Sequence, residues 1–118
     1  YRTGEVLNDI IQNAHFIISP SACYETFGLS IVESFALGRP VIASNIGAFP
    51  ELVQDQINGF LFESKDVHSL VKAVNLAEAL SEGQYIEMSK NARKFAERSF
   101  NSHDHYLKLM NVYNEAVL

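Results

Sequence analysis

The chain has 118 residues, enough for one domain or part of one with a real core. Hydrophobic residues make up 47% and charged residues 19%, the balance of an ordinary folded domain and not of a disordered chain. A net charge of −5 and nine scattered Lys and Arg argue against a nucleic-acid partner, and the apolar runs are too short to span a membrane.

In chain order, Val6, Leu7, Ile10, Ile11 and Ala14 recur at helical spacing and predict a helix over residues 4 to 14. Phe16-Ile17-Ile18 is a continuous apolar run, as expected of a strand buried on both faces of a parallel sheet. After a turn at Pro20-Ser21, a second helix is expected over 27 to 37, with Phe27, Gly28 and Leu29 in its first turn. Gly38 stops it and Pro40 follows. Val41-Ile42-Ala43 is the next strand; residues 44 to 50 form a loop, and Pro50-Glu51 suits the first turn of a short helix. Asn58-Gly59 marks a turn before a third strand at Phe60-Leu61-Phe62. Asp66 caps a helix with apolar positions Val67, Leu70, Val71, Val74 and Ala77. Ser81 and Gln84 form a capping box for a helix over 84 to 98 that carries Tyr85, Met88, Ala92, Phe95 and Ala96. A last helix is expected over 103 to 117, with Tyr106, Leu109, Met110, Tyr113 and Val117 on one face.

Strands that alternate with helices, joined by connections too long for hairpins, imply an α/β fold. The expected architecture is a Rossmann-like parallel sheet with flanking helices, and residues 1 to 118 form a single segment of it. Three strands make a thin sheet, so further strands are expected before Tyr1, and a chain opening on Tyr rather than Met reads as an excised segment. The single cysteine, Cys23, cannot form an internal disulfide, and no charged-then-apolar leader opens the chain. The cytoplasm is the expected location, with a peripheral position at the inner membrane face left open.

In an open parallel sheet, ligands sit beyond the carboxyl ends of the strands. Here the loops 19 to 27, 44 to 50 and 62 to 66 leave those ends, and the first leads into Glu25-Thr-Phe-Gly-Leu-Ser-Ile-Val-Glu33. A helix N-terminus favours a phosphate, glycine lets it approach the backbone, and carboxylate oxygens match paired sugar hydroxyls. Taken singly, the residues have plainer readings. Glu33 shares a helical stripe with Ser30, Ser34 and Leu37 and reads as solvated, while Glu25 and Glu51 read as acids favoured by a helix dipole. Cys23 reads as a small packing residue, His103-Asp104-His105 as a helix start and not a metal site, and Tyr85, Phe95, Tyr106 and Tyr113 as core.

The order of motifs sharpens this reading. Ser19-Pro-Ser21, Glu25-x-Phe27-Gly28-Leu29, Glu33-Ser-Phe-Ala36, Gly38-x-Pro40-Val-Ile-Ala43-Ser44, Gly47-x-x-Pro50-Glu51 and Asn58-Gly59 succeed one another in register. Over almost the whole chain, and most closely over 19 to 72, this resembles the C-terminal donor-binding domain of retaining nucleotide-sugar glycosyltransferases of GT-B architecture (glycosyl transferases group 1). The resemblance implies that Glu25 contacts hydroxyls of the transferred sugar. It also implies that backbone amides around Phe27, Gly28 and Leu29 hold sugar and diphosphate, that Glu33 binds the ribose, and that the Gly47 loop lines the cleft. It implies a nucleoside-diphosphate sugar as donor substrate, no cofactor or metal, and a glycan, lipid or small-molecule acceptor. The acceptor domain and the cations that neutralise the diphosphate are expected in a preceding N-terminal part of the same chain, so that this segment alone is inactive.

Three departures from the family pattern stand out. Ala48 follows Gly47 where a second glycine is common, and is expected to alter selectivity. Asp55-Gln56 replaces a glycine-containing turn and Glu63-Ser64 a common proline, and both are expected to change loop shape away from the motif. Two alternatives stay open: a phosphorylase or nucleotide-sugar epimerase on the same architecture, or a non-enzymatic nucleotide-binding module.

Overall fold

The computed structural model describes residues 4–24 and 27–100. The helix expected over 103 to 117, with Tyr106 and Tyr113, and the His103-Asp104-His105 run lie outside the described residues. The elements follow in the order α1 (Gly4–Asn13), β1 (Ile17–Ser19), α2 (Leu29–Ala36), β2 (Val41–Ser44), α3 (Phe49–Leu52), β3 (Gly59–Phe62), α4 (Val67–Glu78) and α5 (Glu82–Phe100). The strands form one sheet in the order β1-β2-β3. Both pairings are parallel, with Ile17 opposite Val41 and Val41 opposite Gly59. Parallel neighbours need crossovers, which α2 and α3 supply. The result is the expected α/β Rossmann-like architecture. Among the described residues, no helix is long and apolar enough to cross a membrane.

Strand alternation divides the core between the two sheet faces. Val41 and Ala43 point to one face and pack with Ile31 and Phe35 of α2, Phe49 and Leu52 of α3, and Ala92 and Ala96 of α5. Ile42 points to the other, with Phe60, Phe62, Ala73, Ala77 and Met88. Ile31 and Phe35 are one helical turn apart and fully buried, each contributing roughly 1.5–3 kcal/mol of apolar burial. This pair anchors α2 to the sheet. Ser34 is buried beside them without an unmet donor, because its hydroxyl donates to the Ser30 carbonyl at 2.8 Å.

Helix ends match the chemistry of their residues. Gly38 (φ 71) closes α2 in a Schellman arrangement, with its N–H on the Phe35 carbonyl and the Arg39 N–H on the Ser34 carbonyl, both at 2.9 Å. Asp66 caps α4 through the Ser69 N–H, and Ser81 and Gln84 form the reciprocal capping box. Along α5, three side chains donate to carbonyls at or just beyond the ends of other elements. Tyr85 reaches His15 at 2.7 Å, Arg93 reaches Ala36 at 2.7 Å, and the Ser89 hydroxyl reaches Gly38.

Three expectations need correction. The second helix begins at Leu29, not at residue 27, because Gly28 adopts a left-handed conformation (φ 80, ψ 50) that no α-helix continues. Phe27 therefore belongs to the loop. In β1, Ile18 is 48% exposed, so the run is not buried on both faces; among the described strands, only β2 pairs with it. On α4 the covered stripe is Leu70, Ala73, Val74 and Ala77, while Val67 and Val71 are exposed. Apolar spacing alone did not show where that stripe sat around the helix.

Candidate functional site

The carboxyl ends of all three strands meet at one place. After β1, the chain turns at Pro20 and Ser21. The Ser21 hydroxyl donates to the Cys23 carbonyl at 3.0 Å and accepts from the Cys23 N–H at 3.3 Å, a local turn. The Ser21 carbonyl accepts from Ser44 Oγ at the end of β2 (2.8 Å) and from Ser64 Oγ beyond β3 (3.4 Å). A single carbonyl thus joins the loops leaving three strands.

The loop re-enters regular structure at Gly28, where α2 begins. A Cβ built there would lie 2.9 Å from Leu52 Cδ1 and 3.2 Å from Phe49 Cδ1 and Cε1. Only glycine satisfies both the positive φ and this close packing on α3. Having no side chain, Gly28 provides no cap for the helix, so that among the described residues no side chain caps the first N–H groups of α2.

Between strand end and helix start lies an open cleft of about 560 Å³. Ser19, Pro20 and Ser21 line one side, Gly28, Leu29 and Ser30 the other, and Phe49 contributes from α3. The lining contains no Lys or Arg among the described residues. A larger groove of about 700 Å³, lined by His15, Phe16 and Tyr85, opens where β1 begins, the wrong end of a parallel sheet for a ligand.

Of the sequence-predicted site residues, Gly28 and Leu29 line this cleft. Phe27 is 49% exposed in the loop just before it. Glu33 is exposed on α2, four residues past Leu29 and three past Ser30. That spacing puts it on the same helix face as both, about 6 Å along the axis from Leu29. Gly47 (φ 60) lies in the loop leading to α3 and does not line the cleft itself; Phe49, the first residue of α3 after that loop, does. Glu25 lies outside the described residues.

Cys23 is exposed, which corrects its reading as a packing residue: the Ser21 turn keeps this stretch on the surface. Ser64 also differs from expectation. The sequence suggested that it lay away from the motif, yet its hydroxyl reaches the Ser21 carbonyl. The sequence showed Ser44 only as the end of a motif and Ser64 only as a departure from one; their contact with Ser21 was missed, since a serine near a strand end carries no signal of its partner. Asn58, expected as turn punctuation, is 1% exposed. It accepts from the Gln54 N–H at 2.8 Å and donates to the Leu52 carbonyl at 3.2 Å, so it fixes the exit of α3 beneath Gly28.

The family model for glycosyl transferases group 1 matches residues 2–95. A D-inositol 3-phosphate glycosyltransferase of Salinispora tropica is 33% identical over 118 residues, covering 98% of this chain and 23% of its own length. Among solved structures, sucrose-phosphate synthase from Thermosynechococcus elongatus superposes with a TM-score of 0.86 and 29% identity, covering 96% of this chain and 28% of that one. Anabaena Alr3699/HepE in complex with UDP gives a TM-score of 0.83 at 24% identity over 90% of this chain and 29% of its own. The chain spans only about a quarter to a third of the length of the relatives it matches.

Proposed function

The chain belongs to the glycosyl transferases group 1 family, and on that premise we propose that it forms part of the donor-binding domain of a retaining glycosyltransferase. The observation that carries this reading is the cleft between the end of β1 and the uncapped start of α2. The reaction breaks the bond between the sugar's anomeric carbon and the diphosphate, and forms a bond from that carbon to an acceptor hydroxyl oxygen, which loses its proton. Charge then develops on the departing diphosphate, where a helix N-terminus supplies fixed positive potential. Backbone amides around Phe27, Gly28 and Leu29 take the sugar and diphosphate. Glu33, one turn along the same face, accepts hydrogen bonds from the ribose hydroxyls, and Glu25 those of the transferred sugar.

The helix start alone contributes about 0.3–1 kcal/mol, rising to about 2 when partly buried, which is little against a doubly charged diphosphate. With no cation in the cleft lining among the described residues, an N-terminal part of the protein supplies the balancing charge and the acceptor site. The segment alone does not turn over. Anabaena Alr3699/HepE, held with UDP and with UDP-glucose, supports a nucleotide sugar as the ligand class.

The ribose assignment is tested by binding to the full-length protein. A 2′,3′-dideoxy nucleotide is expected to bind roughly tenfold or more weakly than its ribose parent, and Glu33→Ala to erase the difference. Equal affinity of the two nucleotides for the unaltered protein removes Glu33 from the site. A donor that is epimerised or phosphorolysed, with no need of an acceptor hydroxyl, replaces the transferase reading.

A further inference from the structure

We propose that Ser44 is a positioning residue for the donor site, with Ser64 as its weaker second, resting on the donor-site reading above. Neither residue lines the cleft. Ser44 is completely buried at the end of the central strand, so its hydroxyl has no access to water. That hydroxyl is 2.8 Å from the Ser21 carbonyl, with the Ser19 carbonyl 3.5 Å away. Ser64 approaches the same Ser21 carbonyl from beyond β3 at 3.4 Å. Ser19 and Ser21 are themselves cleft residues.

Two described stretches bound the cleft, Ser19 to Ser21 at its near end and Gly28 to Ser30 at its far end. Its two ends are fixed differently. At the far end, Gly28 is wedged against Phe49 and Leu52; at the near end, the Ser21 carbonyl is held by donors from two other strand ends. Together the two anchors fix the strand-side and helix-side walls of the cleft. A ligand seated in the cleft then meets Ser19, Ser21 and Gly28 already held in place, which lowers the entropic cost of binding. When Ser44 is lost, the Ser21 carbonyl gives up the shorter of its two cross-strand contacts, and the near anchor loosens.

The test uses the full-length protein with uridine, guanosine and adenosine diphosphate sugars as probes, taking the one bound most tightly. Ser44→Ala is expected to raise the donor KM roughly tenfold, with the acceptor KM unchanged. Ser44→Thr, which keeps the hydroxyl, is expected to recover most of the loss. Ser64→Ala, at a half-buried site with little risk to folding, is expected to raise the donor KM by a smaller factor in the same direction. A fall in kcat that tracks the folded fraction, with donor KM unchanged in both alanine variants, overturns the proposal and leaves the serines with a purely structural role. Failure of the unaltered protein to bind any of the three donors overturns the donor-site reading itself, and this inference with it.

Discussion

Gly28 meets two demands with one missing side chain: a positive φ of 80 and a close seat against Leu52 and Phe49. Gly28→Ala is expected to cost about 2–5 kcal/mol, summing left-handed strain and overpacking, read as a lower denaturant midpoint at unchanged slope. Gln56 presents the reverse case. It holds φ 66 with a side chain attached, and Gln56→Gly is expected to stabilise by about 0.5–1 kcal/mol despite the added freedom of the unfolded chain; a lower midpoint would contradict this. The missing glycine in the Asp55-Gln56 turn was readable from the motif order, and so were Gly28 and the Glu33 face. Ser44, Ser64 and the exposure of Cys23 were not. A hydroxyl's partner is chosen by tertiary neighbours, 23 residues distant for Ser44 and 43 for Ser64, and no local pattern encodes that choice.

The elements show the same division between local and distant causes. Caps and stops were legible because Asp66, Ser81 with Gln84, and Gly38 act within one turn of their own positions. Asp66→Ala is accordingly expected to cost about 1 kcal/mol, with Asp66→Asn close to neutral; equal losses for both would show that the side chain's charge, and not its cap bond, is what matters. The start of α2 was misplaced by two residues because helix propensity continues through Phe27 while the backbone at Gly28 does not. The exposure of Ile18 depends on what pairs with β1, and that is a property of the whole sheet. What α2 needs for function is a fixed axis. Ile31 and Phe35 bury its middle, Gly28 seats its start, and Ser89 and Arg93 of α5 hold the carbonyls of Gly38 and Ala36 at its end.

At the scale of the molecule, the segment offers one side of a cleft. A three-stranded parallel sheet brings its loops to a common edge, tied through the Ser21 carbonyl, and aims a helix start at the space beside them. The parallel order and the position of that edge follow from the alternation of strand and helix, which the sequence displays openly. On the proposed reading, the identity of sugar, base and acceptor is set by surfaces that complete the cleft from elsewhere in the protein. The account's central claim is that this edge holds a nucleotide sugar, with Glu25 on the transferred sugar and not on the nucleotide. Its most direct test is a paired measurement on full-length Glu25→Ala: the rate of sugar transfer and the dissociation constant for the nucleoside diphosphate. The account predicts that transfer is abolished while nucleotide affinity stays within about threefold, since the lost hydrogen bonds go to sugar hydroxyls alone. Transfer at a near-wild-type rate would contradict it.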